Sequence, residues 1–226
     1  MDNPSTRTSL DAGQLDPLCS LEDPTRRTLY QYVAAQQEPV TRDQTSSALG
    51  IERSTVVYHL DRLVEEGLLI ASFARPAGRG GPGAGRPAKR YQRSEREFAV
   101  SVPPRDYRLA AELLARAAQA DPTGTVDRAL HQAAAELGQE MITTDRSDAA
   151  DLVDHLAHHG FEPYQDGEVV RLRNCPFHLL AREHTELICG MNLAMLTGVV
   201  QATQGELEAH LDPQPGHCCV TFSSKS

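Results

Sequence analysis

The sequence of 226 residues lacks the features of a secreted or membrane protein. No apolar run approaches the ~20 residues that a membrane-spanning helix requires. The first 16 residues are polar and acidic, where a signal peptide is basic and then apolar. Because 40% of the residues are apolar and 23% are charged, we expect a soluble, cytoplasmic protein large enough for two small domains.

Cysteine is scarce and unevenly placed. The chain has 5 cysteines, an odd number, and all but one of them follow residue 174. A chain of this size can build a core without disulfides, and a cytoplasmic protein lives among reduced thiols. We therefore expect the C-terminal cysteines to act as thiolate ligands rather than to form disulfides.

Acidic residues are missing from one stretch, although the net charge is −9. Residues 1–93 carry 12 basic and 11 acidic residues (net +1), whereas residues 94–226 carry 10 and 20 (net −10). Between Arg75 and Arg93 there is no acidic residue at all. If any segment meets the phosphates of a nucleic acid, we expect it to be this one.

Local signals predict three helices in the first third of the chain. Caps, a first-turn proline and terminal glycines mark their starts and ends: Asp23-Pro24 to about Gln36, then Thr41 with Gln44 to Gly50, then Arg53 to Gly67. Leu68–Phe73 and Lys89–Gln92 predict two strands, joined by a loop rich in Gly, Pro and Arg. This order is typical of a winged helix-turn-helix.

In that motif the second helix of the pair enters the major groove while the flanking parts contact phosphate. Candidate DNA-binding residues therefore lie on the third helix, at the start of the second and in the wing: Arg42, Arg53, Ser54, Thr55, Tyr58, His59, Arg62, Arg75, Arg79, Arg86, Lys89 and Arg90.

Pro103-Pro104 marks a domain boundary. Two alanine-rich amphipathic helices follow it, and helices of this kind suit a dimer seam. A helix, a hairpin, a long helix and two strands complete the chain, an order typical of a small α+β sandwich. The predicted fold class is α+β, divided into a disordered tail (1–16), a winged helix-turn-helix DNA-binding domain (17–102), a helical dimerisation region (103–145) and a cysteine-containing α+β sensor domain (146–226).

Three separate elements contribute the C-terminal cysteines. Cys175 opens the long helix, Cys189 lies on it, and Cys218-Cys219 lie in the last strand. A continuous helix would separate Cys175 from Cys189 by about 20 Å. They can share one metal only if Cys175 sits on a loop that folds back or the helix bends, and we predict a bend near residues 182–185. Because adjacent strand residues face opposite sides, only one of Cys218 and Cys219 is expected to be a ligand.

The segment GIERSTVVYHLDRLVEEGLL, which begins at Gly50, resembles the winged helix of ArsR-like and DeoR-like bacterial regulators, and the match covers roughly residues 20–93. Glu52 departs from that pattern, because Ser is common near this cap position. The cysteine spacing is similar to that of SufR-type iron–sulfur-sensing repressors, specifically at Cys175-Pro176, Cys189 and Gly216-x-Cys218.

This resemblance implies a homodimeric transcriptional repressor that binds double-stranded operator DNA and carries an iron–sulfur cluster. It nominates Cys175, Cys189 and Cys218 as cluster ligands. The fourth ligand stays open among Cys219, His184, His217 and His178.

Other interpretations of the C-terminal third remain open. Zinc accepts Cys175, His178, Cys189 and Cys218 equally well as a tetrahedral set. Alternatively, the cysteines are structural and line an apolar pocket for a small molecule. An enzyme with Cys189 as nucleophile and His184 as base is disfavoured, because a spacing of five residues on a helix does not bring two side chains together.

Overall fold

The structure, a computed structural model, describes residues 12–74, 87–100, 105–144, 152–203 and 206–225. The chain divides into an N-terminal unit (Met1–Arg105) and a C-terminal unit (Asp106–Ser226). The predicted boundary at Pro103-Pro104 lies outside the described residues, beside this division. None of the helices in the described ranges is long and apolar enough to cross a membrane.

In its described residues, the N-terminal unit combines four helices with a small antiparallel sheet of strand order β1-β3-β2. Its elements are α1 (Ala12–Ser20), α2 (Pro24–Ala34), β1 (Val40–Thr41), α3 (Arg42–Leu49), α4 (Arg53–Glu65), β2 (Leu69–Ala74) and β3 (Ala88–Arg93). The three predicted helices and both wing strands are confirmed. Strand β1 was not predicted, because a strand of two residues carries no alternation of apolar and polar positions.

The predicted caps of α3 are confirmed. The Gln44 backbone N–H donates to Thr41 Oγ1 at 3.2 Å, and the Thr41 N–H donates to Gln44 Oε1 at 2.8 Å. Gly50 ends α3 with a φ of 66°, a left-handed conformation that glycine adopts without steric cost. These local interactions fix the tight turn between α3 and α4.

Residues 12–16 correct the predicted tail, since they lie in α1. Gln14 Oε1 accepts a hydrogen bond from the Ala99 N–H at 3.3 Å, and Pro17 and Ser20 are buried. The order of this segment therefore depends on contacts with residues distant in sequence, which periodicity does not report. Residues 1–11 lie outside the described residues.

The C-terminal unit contains five helices and a second antiparallel sheet, of order β4-β5-β7-β6, within the described residues. Its elements are α5 (Tyr107–Gln119), α6 (Thr125–Thr144), α7 (Leu152–His158), β4 (Pro163–Asp166), β5 (Val169–Leu172), α8 (His178–Glu183), α9 (Thr185–Ala202), β6 (Leu207–Leu211) and β7 (Val220–Ser224). The predicted bend in the long helix is confirmed, because α8 ends at Glu183 and α9 begins at Thr185.

The core of this unit lies between α9 and the sheet, with α6 on the other side of α9. Leu196 and Val200 of α9 pack with Leu172 and Phe222 of the sheet, and Ala134 of α6 joins the same cluster. The described part of the predicted dimerisation region, residues 105–144, therefore packs against the described residues of the predicted sensor domain. The alanine-rich surface of α6 approaches a helix of its own chain, which the sequence analysis did not predict.

Two glycines allow this close approach. A Cβ placed on Gly138 of α6 would overlap the backbone oxygen of Met195, and one placed on Gly198 of α9 would overlap that of Ala135. Gln139 Nε2 donates to Gln201 Oε1 at 3.2 Å at the end of the crossing. The backbones of α6 and α9 thus meet at positions where only glycine leaves room.

Candidate functional site

The recognition helix α4 is capped by a glutamate. Glu52 Oε2 accepts hydrogen bonds from the backbone N–H groups of Ser54 (2.9 Å) and Thr55 (3.1 Å), and from the Ser54 hydroxyl. These bonds, led by the one from the Ser54 hydroxyl, lower the pKa of Glu52. Glu52 therefore stays negative at the start of the helix, and Ser54 and Thr55 are engaged with it in the free protein.

Two predicted arginines lie at the helix starts beside this cap. Arg42 and Arg53 are exposed and, with Glu52, Ser54 and Val57, line an open cleft of about 410 Å³. Arg53 Nε forms an ion pair with Asp43 at 2.7 Å. Because exposed ion pairs contribute only about 0–1 kcal/mol, a DNA phosphate can replace Asp43 as the partner of Arg53 at little cost.

Further along α4, the three remaining predicted side chains differ in availability. Tyr58 is 64% exposed. His59 is half-buried, and its Nδ1 has no hydrogen-bond partner among the described residues. Arg62 is paired with Glu66 at 2.6 Å and with Glu65 at 3.4 Å. Tyr58 is thus the most accessible of these side chains for a contact with bases.

In the wing, Arg75, Arg79 and Arg86 lie outside the described residues, whereas Lys89 and Arg90 lie on β3. Lys89 Nζ donates to Asp61 Oδ1 at 2.6 Å, and the hydroxyl of Tyr91 donates to the same oxygen at 2.8 Å. Lys89, predicted to contact DNA, is therefore engaged in fixing β3 to α4. Burial and the bond to Asp61 raise the pKa of Tyr91.

Replacing Asp61 by alanine should loosen the wing. Tyr91 is 1% exposed, so the change leaves a buried hydroxyl without its acceptor, which costs about 1–3 kcal/mol. We expect this loss in the free energy of unfolding, measured by urea denaturation, together with weaker DNA binding. The matched control adds Tyr91→Phe to the Asp61→Ala variant, so that both partners are removed. This added change should lower the free energy of unfolding by less than Tyr91→Phe does in the native chain. Strictly additive losses would contradict the role of Asp61.

The four C-terminal cysteines, here called the cysteine site, form two pairs. Cys189 of α9 and Cys219 are joined by a disulfide, with 6.5 Å between their Cα atoms. Cys175 and Cys218 are free, and each thiol is the largest influence on the pKa of the other. The expectation of thiolates rather than disulfides thus differs from the structure at Cys189. Strand β7 begins only at Val220, so the rule of opposite faces does not separate Cys218 from Cys219.

Cys218 is the more acidic thiol of the free pair. The hydrogen bond from Cys175 lowers the pKa of Cys218, and the same bond and burial raise that of Cys175. Asn192 of α9 also donates from Nδ2 to Cys218 Sγ at 3.3 Å. Of the two thiols, Cys218 is therefore the one disposed to act as a thiolate.

The histidines proposed as a fourth ligand lie in different surroundings. Both ring nitrogens of His184 are engaged, Nδ1 with Gln119 Oε1 at 2.7 Å and Nε2 with Glu112 Oε2 at 3.0 Å. His217 and His178 are not buried; His217 Nδ1 lies 3.1 Å from the Pro215 oxygen. His184 is therefore not available as a ligand at the cysteine site, nor is it a base for Cys189.

Among the described residues, three potential metal ligands meet at His184 rather than at the cysteines. Atoms of Glu112, Glu183 and His184 lie within 4.8 Å of one another. Each carboxylate already has an arginine partner: Arg116 lies 2.5 Å from Glu112, and Arg108 lies 3.1 Å from Glu183. The bonds from His184 and Arg116 lower the pKa of Glu112. The group is accordingly a neutralised ion-pair network between α5 and the start of α9.

The sequence analysis missed two residues that organise these sites, Asp61 and Asn192. Asp61 carried no recognisable signal, because its partners are about thirty positions away on β3. Asn192 follows Cys189 by three positions on α9, a spacing that places both on one helix face. That spacing was available in the sequence as a signal.

Comparison with known proteins bears on the surface formed by α3 and α4. A family model described as a helix-turn-helix domain matches residues 21–70, from the start of the α1–α2 turn to the start of β2. No curated protein and no solved structure matches the chain significantly. The match supports a winged helix-turn-helix regulator family, and it indicates a DNA-binding transcriptional regulator rather than an enzyme.

Proposed function

We propose that this chain is a cytoplasmic, homodimeric repressor that binds a two-fold symmetric operator and whose operator affinity is controlled by an iron–sulfur cluster held at the cysteine site. The observation that carries the sensing part is the convergence of cysteines from three distant segments: a disulfide joins Cys189 to Cys219, and the free thiols of Cys175 and Cys218 influence each other's pKa.

DNA binding rests on the helix-turn-helix match and on the surface of α4. Arg42 and Arg53 at the helix starts supply phosphate contacts, and the exposed Tyr58 reaches the base edges. The Ser54 hydroxyl must exchange its bond to Glu52 before it contacts DNA. One such helix reads one half-site, so a symmetric operator needs two copies of the chain.

Dimerisation is supported by an apolar stripe on α5. Tyr107, Ala110, Leu114 and Ala117 recur at helical spacing, and the large members are well exposed: Tyr107 76% and Leu114 72%. Leu113 beside them is 60% exposed. Soluble proteins rarely leave such a stripe uncovered, which marks it as an interface. A second copy of the chain is the occupant that a two-fold symmetric operator requires.

The cysteine site suits a thiolate-bound cluster in its donors and its surroundings. Cys218 and Cys189 are buried, at 2% and 7% exposure. Asn192 Oδ1, buried beside Cys218, has no partner among the described residues, and an orphaned buried polar atom of this kind calls for an explanation. Cys175, Cys189 and Cys218 would hold the cluster, which supplies one-electron redox chemistry when bound. Solvent exclusion by Phe177 and neighbouring apolar residues protects it.

Ligation by Cys189 requires that its disulfide with Cys219 be opened. Two low-molecular-weight thiols supply the two electrons and two protons: the S–S bond breaks, each cysteine becomes a thiol, and the two small thiols form one disulfide. Cys189 then loses its proton to become a ligand. The disulfide itself favours a second candidate function, in which the cysteines are structural and the regulator responds to zinc or a small molecule.

The test uses the full chain purified without oxygen under reducing conditions, with an operator first selected from random duplex DNA. We expect iron and sulfide in the protein and a visible absorption band. Cys175→Ser and Cys189→Ser should abolish both while the protein stays folded. Loss of the cluster should change operator affinity about 5–150-fold in the native chain and not in the variants.

Cys19→Ser is the matched control, since Cys19 is exposed in α1 and belongs to the other unit. It should retain both iron and response. A native protein that is free of iron and keeps its Cys189–Cys219 disulfide in the presence of thiols would overturn the cluster and favour the second candidate. Failure to select any operator would overturn the DNA-binding part.

A further inference from the structure

Asn192 is the polar side chain most deeply enclosed at the cysteine site. It is 1% exposed, on the face of α9 that also carries Cys189 one turn earlier. Its Nδ2 donates to Cys218 Sγ at 3.3 Å, while its Oδ1 is buried without a hydrogen-bond partner among the described residues. A buried amide on the helix that carries Cys189 thus contacts the segment that carries Cys218.

This arrangement is costly for a side chain with a packing role alone. An unpaired buried carbonyl carries a desolvation penalty and the N–H···S bond is a weak one, whereas an apolar side chain of similar shape would incur no such penalty. Leucine has nearly the same branching as asparagine and would suit the apolar cluster to which Cys218, the partner of Asn192, belongs. An amide at this point therefore indicates a requirement beyond packing.

We propose that Asn192 is a positioning residue of the cysteine site, whose N–H holds Cys218 Sγ in the orientation of a ligand. This inference rests on the proposed function. An N–H···S bond withdraws electron density from a ligating sulfur and fixes its direction, and such outer contacts tune both affinity and reduction potential. Asn192 thereby acts on the bound group through Cys218 rather than as one of its cysteine ligands.

The experiment compares Asn192→Leu with the native chain, both reconstituted with ferrous iron and sulfide under anaerobic conditions. Because Asn192→Leu removes the unpaired oxygen, the apo variant should be at least as resistant to urea as the native apo protein. The reconstituted variant should lose iron to a chelator about 10–100-fold faster. Its reduction potential should shift to more negative values, since Cys218 keeps more electron density.

Gln201→Leu is the matched control, because it also replaces a polar side chain of α9, nine positions further on, where Gln201 bonds to Gln139. It should leave the rate of iron loss and the potential unchanged. If the native chain holds iron and Asn192→Leu matches it in both properties, this inference is overturned while the proposed function stands. If the native chain binds no iron after reconstitution, both are overturned.

Discussion

Gly198→Ala should destabilise the C-terminal unit by about 1–3 kcal/mol, the usual cost of inserting a methyl group into a filled core. The new Cβ would overlap the backbone oxygen of Ala135, so α6 and α9 must move apart along their whole contact. Elsewhere in a helix the same substitution is favourable by about 1 kcal/mol. Urea denaturation followed by circular dichroism measures the change.

Two further variants make this prediction specific. In Gly190→Ala the new Cβ meets the ring of His131, 2.7 Å away at Nε2; this ring is half-exposed and can rotate, so the loss should be smaller. Gly138→Ala separates the same two backbones as Gly198→Ala. The double variant should therefore lose less stability than the sum of the single losses. A stabilised Gly198→Ala protein would show that the two helices do not meet at this glycine.

The sequence was sufficient wherever the cause of a structure is local. The bonds between Thr41 and Gln44, and the left-handed Gly50, lie within ten residues of chain, so spacing alone predicted the helix-turn-helix. The bend between α8 and α9 was also predicted, because fourteen helical positions would have kept Cys175 and Cys189 too far apart. The requirement that Cys175 and Cys189 share one ligand thus predicted a bend in the chain between them.

The remaining features depend on contacts between segments far apart in the chain. The amide oxygen of Gln14 orders α1 through Ala99, and Gly198 owes its importance to the backbone of Ala135. The pairing of Cys189 with Cys219 rather than with the other cysteines follows from how β7 meets α9. Spacing gives the candidates for such contacts, but the choice among them is made by tertiary packing.

Leu114→Glu should convert the proposed homodimer into a monomer and weaken binding to a full operator at least 100-fold. Leu114 is 72% exposed and lies in the middle of the apolar stripe of α5. In a two-fold symmetric interface, one substitution places a carboxylate on each side of the seam, and burying unpaired charges there costs several kcal/mol. Each 1.4 kcal/mol lost corresponds to a tenfold weaker affinity.

Sedimentation equilibrium gives the mass of the native and variant proteins, and fluorescence anisotropy gives their affinity for full and half operators. Because Leu114 is exposed within one chain, the variant should unfold at the same urea concentration as a native monomer. Leu211→Glu, at a 50% exposed position on β6 of the same unit, controls for the added charge and should remain dimeric. A Leu114→Glu protein that is still a dimer would place the dimer interface away from α5. If the monomer still binds a half operator, the whole loss of affinity for the full operator comes from separating the two recognition helices.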